Sequence, residues 1–215
     1  MAEPGMQVQL VGMEEVVTAC DRLAQTILAG GFRPEIVVAV ARGGFVPARF
    51  LCDFLQIGRL TSIRVQHYQA GAHREAEARV TIPLAVDIRG TQVLLVDDVN
   101  DSGKTLAAAS AHLAGFSPAA VRTAVLHEKA DTVQAADFRA IAVREWRWIL
   151  YPWAVVEDVG QFLRDMRPAP HSMEEIRQQL ADRYGFVPST AQLEQVLRFG
   201  RSGLRLPTDR HHPAK

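Results

Sequence analysis

Val93-Leu94-Leu95-Val96-Asp97-Asp98-Val99-Asn100-Asp101-Ser102-Gly103-Lys104-Thr105 is the stretch from which the rest of the chain can be read. Its first four residues form an apolar run suited to a strand buried on both faces. Two adjacent carboxylates follow, then a third, then a small polar turn. Leu106-Ala107-Ala108-Ala109 then suits a helix. Strand, polar loop and helix start in that order make an anion site, because backbone N–H groups and the helix dipole point at whatever sits there. Gly103-Lys104-Thr105 also looks like the end of a Walker loop. That loop needs a glycine at position 98, so that backbone can wrap a polyphosphate, and the residue there is Asp98. A carboxylate would repel the phosphates, which excludes the NTPase reading. Ionised carboxylates accept hydrogen bonds from hydroxyls. The loop therefore offers hydroxyl acceptors on one side and phosphate donors on the other, which describes a ribose 5-phosphate site.

The whole run resembles the signature of the type I phosphoribosyltransferases, which bind phosphoribosyl pyrophosphate (PRPP). The resemblance implies that Asp97 and Asp98 bind the ribose hydroxyls and reach Mg²⁺ through water. It also implies that the turn of Asp101, Ser102, Gly103, Lys104 and Thr105 holds the 5′-phosphate. The fold expected with it is α/β: a mostly parallel twisted sheet with helices on both faces and a small hood segment.

Size and composition agree with such a fold. At 215 residues the chain fits one domain with a small appendage. Lys plus Arg and Asp plus Glu number 24 each, so the net charge is zero, and the basic excess of a non-specific nucleic-acid binder is missing. No nucleic-acid partner is expected. No apolar run approaches ~18 residues, so no membrane span is expected either. Cys20 and Cys52 lie in helix-like surroundings without metal-ligand spacing and read as buried free thiols in a cytoplasmic protein.

Outward from the central run, Val16, Cys20, Leu23, Ala24, Ile27 and Leu28 recur at helical spacing, and Gly30-Gly31 closes that helix. The residues before it, 1–12, read as a leader or an edge segment. Ile36-Val37-Val38-Ala39-Val40 is a second buried strand. Ala41-Arg42-Gly43-Gly44 follows at once, and Pro47 marks a helix start. Glycines let backbone approach a ligand and Arg42 adds a fixed positive fork, so Arg42 and Gly43 read as a pyrophosphate loop. The resembling family places a short Gly-bearing loop here, often with a cis peptide before the basic residue.

Residues 60–68 read as a strand and 69–79 as a polar lid carrying His73, Arg74 and Glu75. In the family a Ser-Tyr pair opens that lid. Here the pair is His67-Tyr68, so only Tyr68 carries over, and His67 reads as a strand-end surface residue. Further strands are expected at 80–84, 121–126 and 140–143. Lys129 stands where 6-oxopurine members carry a lysine that donates to the purine O6, and an ammonium at a strand end suits that task.

All three tryptophans fall in Trp146-Arg147-Trp148-Ile149-Leu150-Tyr151-Pro152-Trp153. Aromatic faces stack on flat bases. The run resembles a Trp-Ile-x-x-Pro-Trp segment of the bacterial xanthine–guanine enzymes. By that match Trp148 stacks on the purine and the Ile149 carbonyl takes an exocyclic amine, while Trp146 and Trp153 read as packing residues. An acid follows the second tryptophan in the bacterial pattern. Ala154 stands here, which leaves the choice among guanine, xanthine and hypoxanthine open.

The resemblance covers residues 13–165, with the hood around 140–155. Ser172-Met173-Glu174-Glu175 and Ser189-Thr190-Ala191-Gln192 read as capping boxes opening a helical hairpin over 171–200, packed on the core or on a neighbouring subunit. Residues 201–215 read as a disordered basic tail. The activity expected is Mg²⁺-dependent transfer of a phosphoribosyl group from PRPP to N9 of a 6-oxopurine, releasing pyrophosphate, by a homo-oligomer (dimer or tetramer). Asp101 is the candidate general base near N7, since resembling adenine enzymes usually carry alanine there. The alternatives are a PRPP-sensing regulator with little catalysis and a transferase for another base.

Overall fold

A computed structural model describes residues 6–68 and 77–200. Most of the expected lid therefore lies outside the described residues, as does the tail. The described chain forms eight strands and six helices in two compact units: residues 14–146, and residues 1–13 together with 147–215.

The larger unit holds a six-stranded sheet in the order β4-β3-β2-β5-β6-β7. These strands are β2 (Ile36–Ala41), β3 (Leu60–Tyr68), β4 (Glu77–Ile82), β5 (Gln92–Asn100), β6 (Ala120–Lys129) and β7 (Phe138–Val143). Every pairing is parallel except β3 with β4, which is antiparallel and irregular between Arg64 and Val65. The mostly parallel α/β sheet is thus the one expected. Continuous apolar runs account for it. In β2 and β5 both side-chain parities are inaccessible, so layers must cover both faces. On one face Leu106, Ala109 and Leu113 of α3 (Lys104–Ala114) join Val38, Val40, Val93, Leu95 and Val125. Helix α2 (Phe45–Phe54) lies against β2, β3 and β5 through a buried stripe of Ala48, Leu51 and Cys52 outside that cluster. Helix α1 (Met13–Ala29) buries Val16, Ala19, Cys20, Leu23, Ala24 and Ile27. The two thiols are free and buried, and burial pushes that of Cys20 up to about 12, which leaves it chemically inert.

The smaller unit is built around a two-stranded parallel sheet. The stretch expected as a leader or an edge segment contributes β1 (Val8–Leu10), which pairs with β8 (Trp148–Leu150) in the register Val8↔Trp148 and Leu10↔Leu150. Helices α4 (Val155–Asp165), α5 (Met173–Tyr184) and α6 (Thr190–Phe199) complete it. Val8, Leu150, Val159, Phe162, Ile176, Leu180, Leu193 and Val196 share one core, so the expected hairpin is packed within its own chain. Ser189 and Gln192 make the full capping box. Ser172 caps the Glu175 N–H, but the Glu175 carboxylate reaches back to His171 N instead of Ser172 N, so that box is half formed. No described helix is long and apolar enough to cross a membrane.

Candidate functional site

Of the residues expected in the site, Arg42, Gly43, the run from Asp97 to Thr105 and Lys129 lie at the carboxyl ends of β2, β5 and β6, the edge of a parallel sheet at which ligands commonly bind. The acids were expected just past a short strand. They belong instead to β5 itself, because pairing with β6 continues through Asp97↔Val125, Val99↔His127 and Asn100↔Glu128. Neighbouring strand residues point to opposite faces, which separates two adjacent carboxylates. Asp97 is buried, and its Oδ1 accepts from Asp98 N at 2.9 Å. Burial, then the charge of Asp98, raises its carboxyl well above the usual range. Asp98 is half-buried, and its Oδ1 accepts from Val99 N at 2.8 Å.

The loop after β2 reaches the same place. The Ala41–Arg42 peptide is cis. A Cβ added to Gly43 would run into the Asp98 carboxylate, and one on Gly44 would run into the Val96 carbonyl. Only a glycine lets this backbone lie against the second acid. The fold therefore brings Gly43, and Arg42 next to it, to Asp98.

Below the acids, Gly103 opens α3 at φ +84 without any side-chain cap, and no acid stands in the first turn. Its backbone presses on residues of the segment after β6, where a Cβ would lie 2.5 Å from Gln134 N and 2.6 Å from Thr132 Oγ1. That segment is anchored by groups the sequence reading did not single out. Val133 N donates to Ser102 O at 3.0 Å, and Asn100 Nδ2 donates to Gln134 O at 2.8 Å and to Glu128 at 3.1 Å. Buried Glu128 also accepts from Ala136 N at 2.5 Å and from Arg139 at 3.0 Å. Nothing local in the sequence marks this network, although Asn100 lies inside the central run and Glu128 beside Lys129. Next to them, burial pushes the His127 imidazole down to about 4, which keeps it neutral.

Two further residues enter the site from outside the expected set. His67 Nε2 lies 3.1 Å from Thr105 Oγ1, so the residue that departs from the family pattern touches the turn expected to hold the phosphate. Trp146, expected to pack, is half exposed. Its Nε1 donates to Asp101 Oδ1 at 3.3 Å, and its ring lies 4.2 Å from the Lys129 ammonium. Lys129 forms an ion pair with the same Asp101 Oδ1 at 3.0 Å. Asp101 and Lys129 are thus brought together. The backbone of Tyr68 pairs with Glu77, and its side chain lies outside what is described. Trp148 and Ile149 belong to the smaller unit. There the Trp148 indole donates to Asp158 at 2.8 Å and Ile149 is buried. Trp153 stacks on Tyr151 at 4.6 Å, as a packing residue should.

Among the described residues no cluster of three or more His, Cys, Asp or Glu could hold a metal ion. The two acids of β5 fit a magnesium ion that arrives coordinated by substrate oxygens and water, the usual habit of that ion.

Comparison with known proteins agrees with this geometry. Residues 7–158 match the family model of the phosphoribosyl transferase domain. A xanthine-guanine phosphoribosyltransferase of Ruegeria sp. is 34% identical over 122 residues, 54% of this chain and 66% of the relative, just under two thirds of its length. A hypoxanthine-guanine phosphoribosyltransferase of Schizosaccharomyces pombe is 30% identical over 104 residues, 40% of this chain and 50% of the relative. The crystal structure of a purine phosphoribosyltransferase from Pyrococcus horikoshii superposes with a TM-score of 0.60 at 30% identity, covering 69% of this chain and 94% of that one.

Proposed function

The chain belongs to the phosphoribosyl transferase domain family, and on that premise we propose that it transfers the phosphoribosyl group of PRPP to N9 of a 6-oxopurine and releases pyrophosphate. The observation that carries this reading is the convergence of three parts. These are the acids Asp97 and Asp98 against the Gly43 backbone, the uncapped start of α3, and the Asp101–Lys129 pair. Similarity to xanthine-guanine and hypoxanthine-guanine transferases supports the choice of base.

In this mechanism the first-turn N–H groups of α3, with Ser102, Gly103, Lys104 and Thr105, hold the 5′-phosphate, and Asp97 and Asp98 accept from the ribose hydroxyls. Arg42 and the Gly43 N–H meet the pyrophosphate. Breaking the bond from C1′ to pyrophosphate leaves positive charge on the ribose ring, and the two β5 carboxylates lie on the side where that charge develops. Asp97 and Asp98 would hold a magnesium ion through water, and the ion would supply positive charge to the departing pyrophosphate. The purine N9 then bonds to C1′, and the proton at N7 is taken or held by Asp101 while Lys129 donates to O6. The family resemblance assigns Trp148 to stacking on the base, the Ile149 carbonyl to its exocyclic group and Tyr68 to the lid.

The test is a panel: protein, PRPP and Mg²⁺ with guanine, xanthine, hypoxanthine or adenine, measuring which nucleotide forms. A 6-oxopurine nucleotide is expected and adenine should be refused. Asp101→Asn should lower kcat by roughly 10²–10⁴-fold, the range of acid–base catalysis, with the KM for PRPP little changed. PRPP binding without transfer to any base would replace this reading with a sensing role.

A further inference from the structure

Trp146 is an exposed indole with polar work at both its edge and its face. Its N–H and the Lys129 ammonium both end on Asp101 Oδ1, at 3.3 and 3.0 Å, and the same ammonium sits over its ring at 4.2 Å. Indole, ammonium and carboxylate therefore close a triangle in which each member contacts the other two. The Lys129 side chain is only 5% exposed, whereas that of Asp101 is 50% exposed, so the carboxylate is the outward partner. Among the described residues, no donor to Asp101 Oδ2 is recorded. With one oxygen fixed by two donors, the carboxylate cannot rotate without losing both, and its second oxygen is held in a constant direction.

We infer that Trp146 is a positioning residue for the transfer reaction: it locks Asp101 and Lys129 into one rigid unit, so that Asp101 Oδ2 and the remaining Lys129 N–H groups meet the base as an acceptor beside a donor. The inference rests on the proposed phosphoribosyl transfer. It adds a third member to a pair, and it assigns that member to the tryptophan that sequence reasoning set aside as packing. An acceptor beside a donor suits an edge that carries N–H next to C=O. An amino group in place of the carbonyl would set donor against donor, and a buried mismatch of that kind discriminates strongly.

The experiment uses the full chain in steady-state kinetics with PRPP, Mg²⁺ and whichever purine the wild type accepts. Trp146→Phe keeps a ring face and loses the N–H. It should lower kcat by roughly tenfold to a hundredfold, the scale of a misplaced reacting group, while the KM for PRPP stays within about twofold. Trp146→His, which retains an N–H donor, should recover part of the loss. In an Asp101→Asn background the same Phe change should lower kcat less than about twofold, because the group it positions is already disabled.

Equal losses with and without Asp101 overturn the inference, as does an unchanged kcat in Trp146→Phe. A fall in kcat that tracks a lowered unfolding temperature and a raised KM for PRPP also overturns it, since that pattern is lost packing. A wild type that forms no nucleotide from any purine overturns the transferase reading and this inference with it. An active wild type with an indifferent Trp146→Phe removes this inference alone.

Discussion

Helix α6 starts at Ser189, whose hydroxyl accepts from Gln192 N at 3.2 Å while the Gln192 side chain accepts from Ser189 N at 2.8 Å. Helix α3 starts at Gly103, which has no side chain to cap it; Ser102 Oγ makes only a long contact with Lys104 N at 3.5 Å, and the first turn holds no acid. Helix α5 follows the first pattern, with Ser172 over Glu175 N and two acids in its opening turn. Helix α2 follows the second, starting at an uncapped Gly44. The capped helices α5 and α6 sit in the smaller unit, where α4 starts at Ala154 without a side-chain cap but with Glu157 and Asp158 in its first turn; α2 and α3, which have neither cap nor acid, open beside the acids of β5. A missing cap costs about 1 kcal/mol. Two of them at the carboxyl edge of one sheet leave backbone donors aimed outward, which fits the proposed phosphate and pyrophosphate loops. In the smaller unit these helix starts carry a cap or acids, whereas those of α2 and α3 carry neither, as the proposed ligand loops require.

Gly103→Ala tests the contrast most severely. A side chain at φ +84, driven onto Gln134 N and Thr132 Oγ1, should destabilise the fold by roughly 1–3 kcal/mol. PRPP affinity measured by calorimetry should fall more than about tenfold. Ser102→Asp makes the start of α3 resemble that of α5. The acid complements the helix dipole, so the unfolding temperature should hold or rise, yet repulsion of the phosphate should raise the KM for PRPP about tenfold. A variant that binds PRPP normally would break the distinction between the two kinds of helix start. Ser189→Ala is the mirror experiment. It should cost about 1 kcal/mol, a lowering of roughly 2–4 °C in Tm, and leave kcat and KM as they were.

The smallest effect on stability concerns Asp97. Burial and the neighbouring Asp98 hold its carboxyl above the usual range. A carboxyl raised on folding binds its proton more tightly in the native state. It therefore favours the fold at low pH, and that contribution is lost as pH rises through the folded value. Asp97→Asn should raise Tm at neutral pH by about 2 °C or less and flatten its dependence on pH in thermal melts, while PRPP binding disappears. An acid that harms the empty fold and is needed by the ligand is the counterpart, at strand level, of an uncapped helix.

The central run was legible because strand, acids, turn and helix are written in consecutive residues, and each signals through local chemistry. Arg42 and Gly43 were legible for the same reason. What was not legible depends on pairing at a distance. The strand β5 runs on through Asn100 because β6 continues beside it, a fact that neither segment states alone. Trp146 lies 45 positions from the carboxylate it bonds, and no local pattern distinguishes it from Trp153, which does pack. His67 was discounted for departing from a family pattern, yet the ladder that carries it sets it against Thr105. The opening of α5 was legible at Ser172, and only the return bond differs, since Glu175 accepts from His171 N instead of Ser172 N.

The pairing of β1 with β8 has a bearing on how the chain is made. Val8 precedes its partner Trp148 by 140 residues. Until Trp148 is made the sheet of the larger unit can assemble from neighbours that are already present, whereas Val8 and Leu10 have nothing to adjoin. Contacts of such long separation form slowly. The small sheet therefore closes only after every strand of the larger sheet has been made, and a nascent chain halted before residue 148 would carry β1 without its partner.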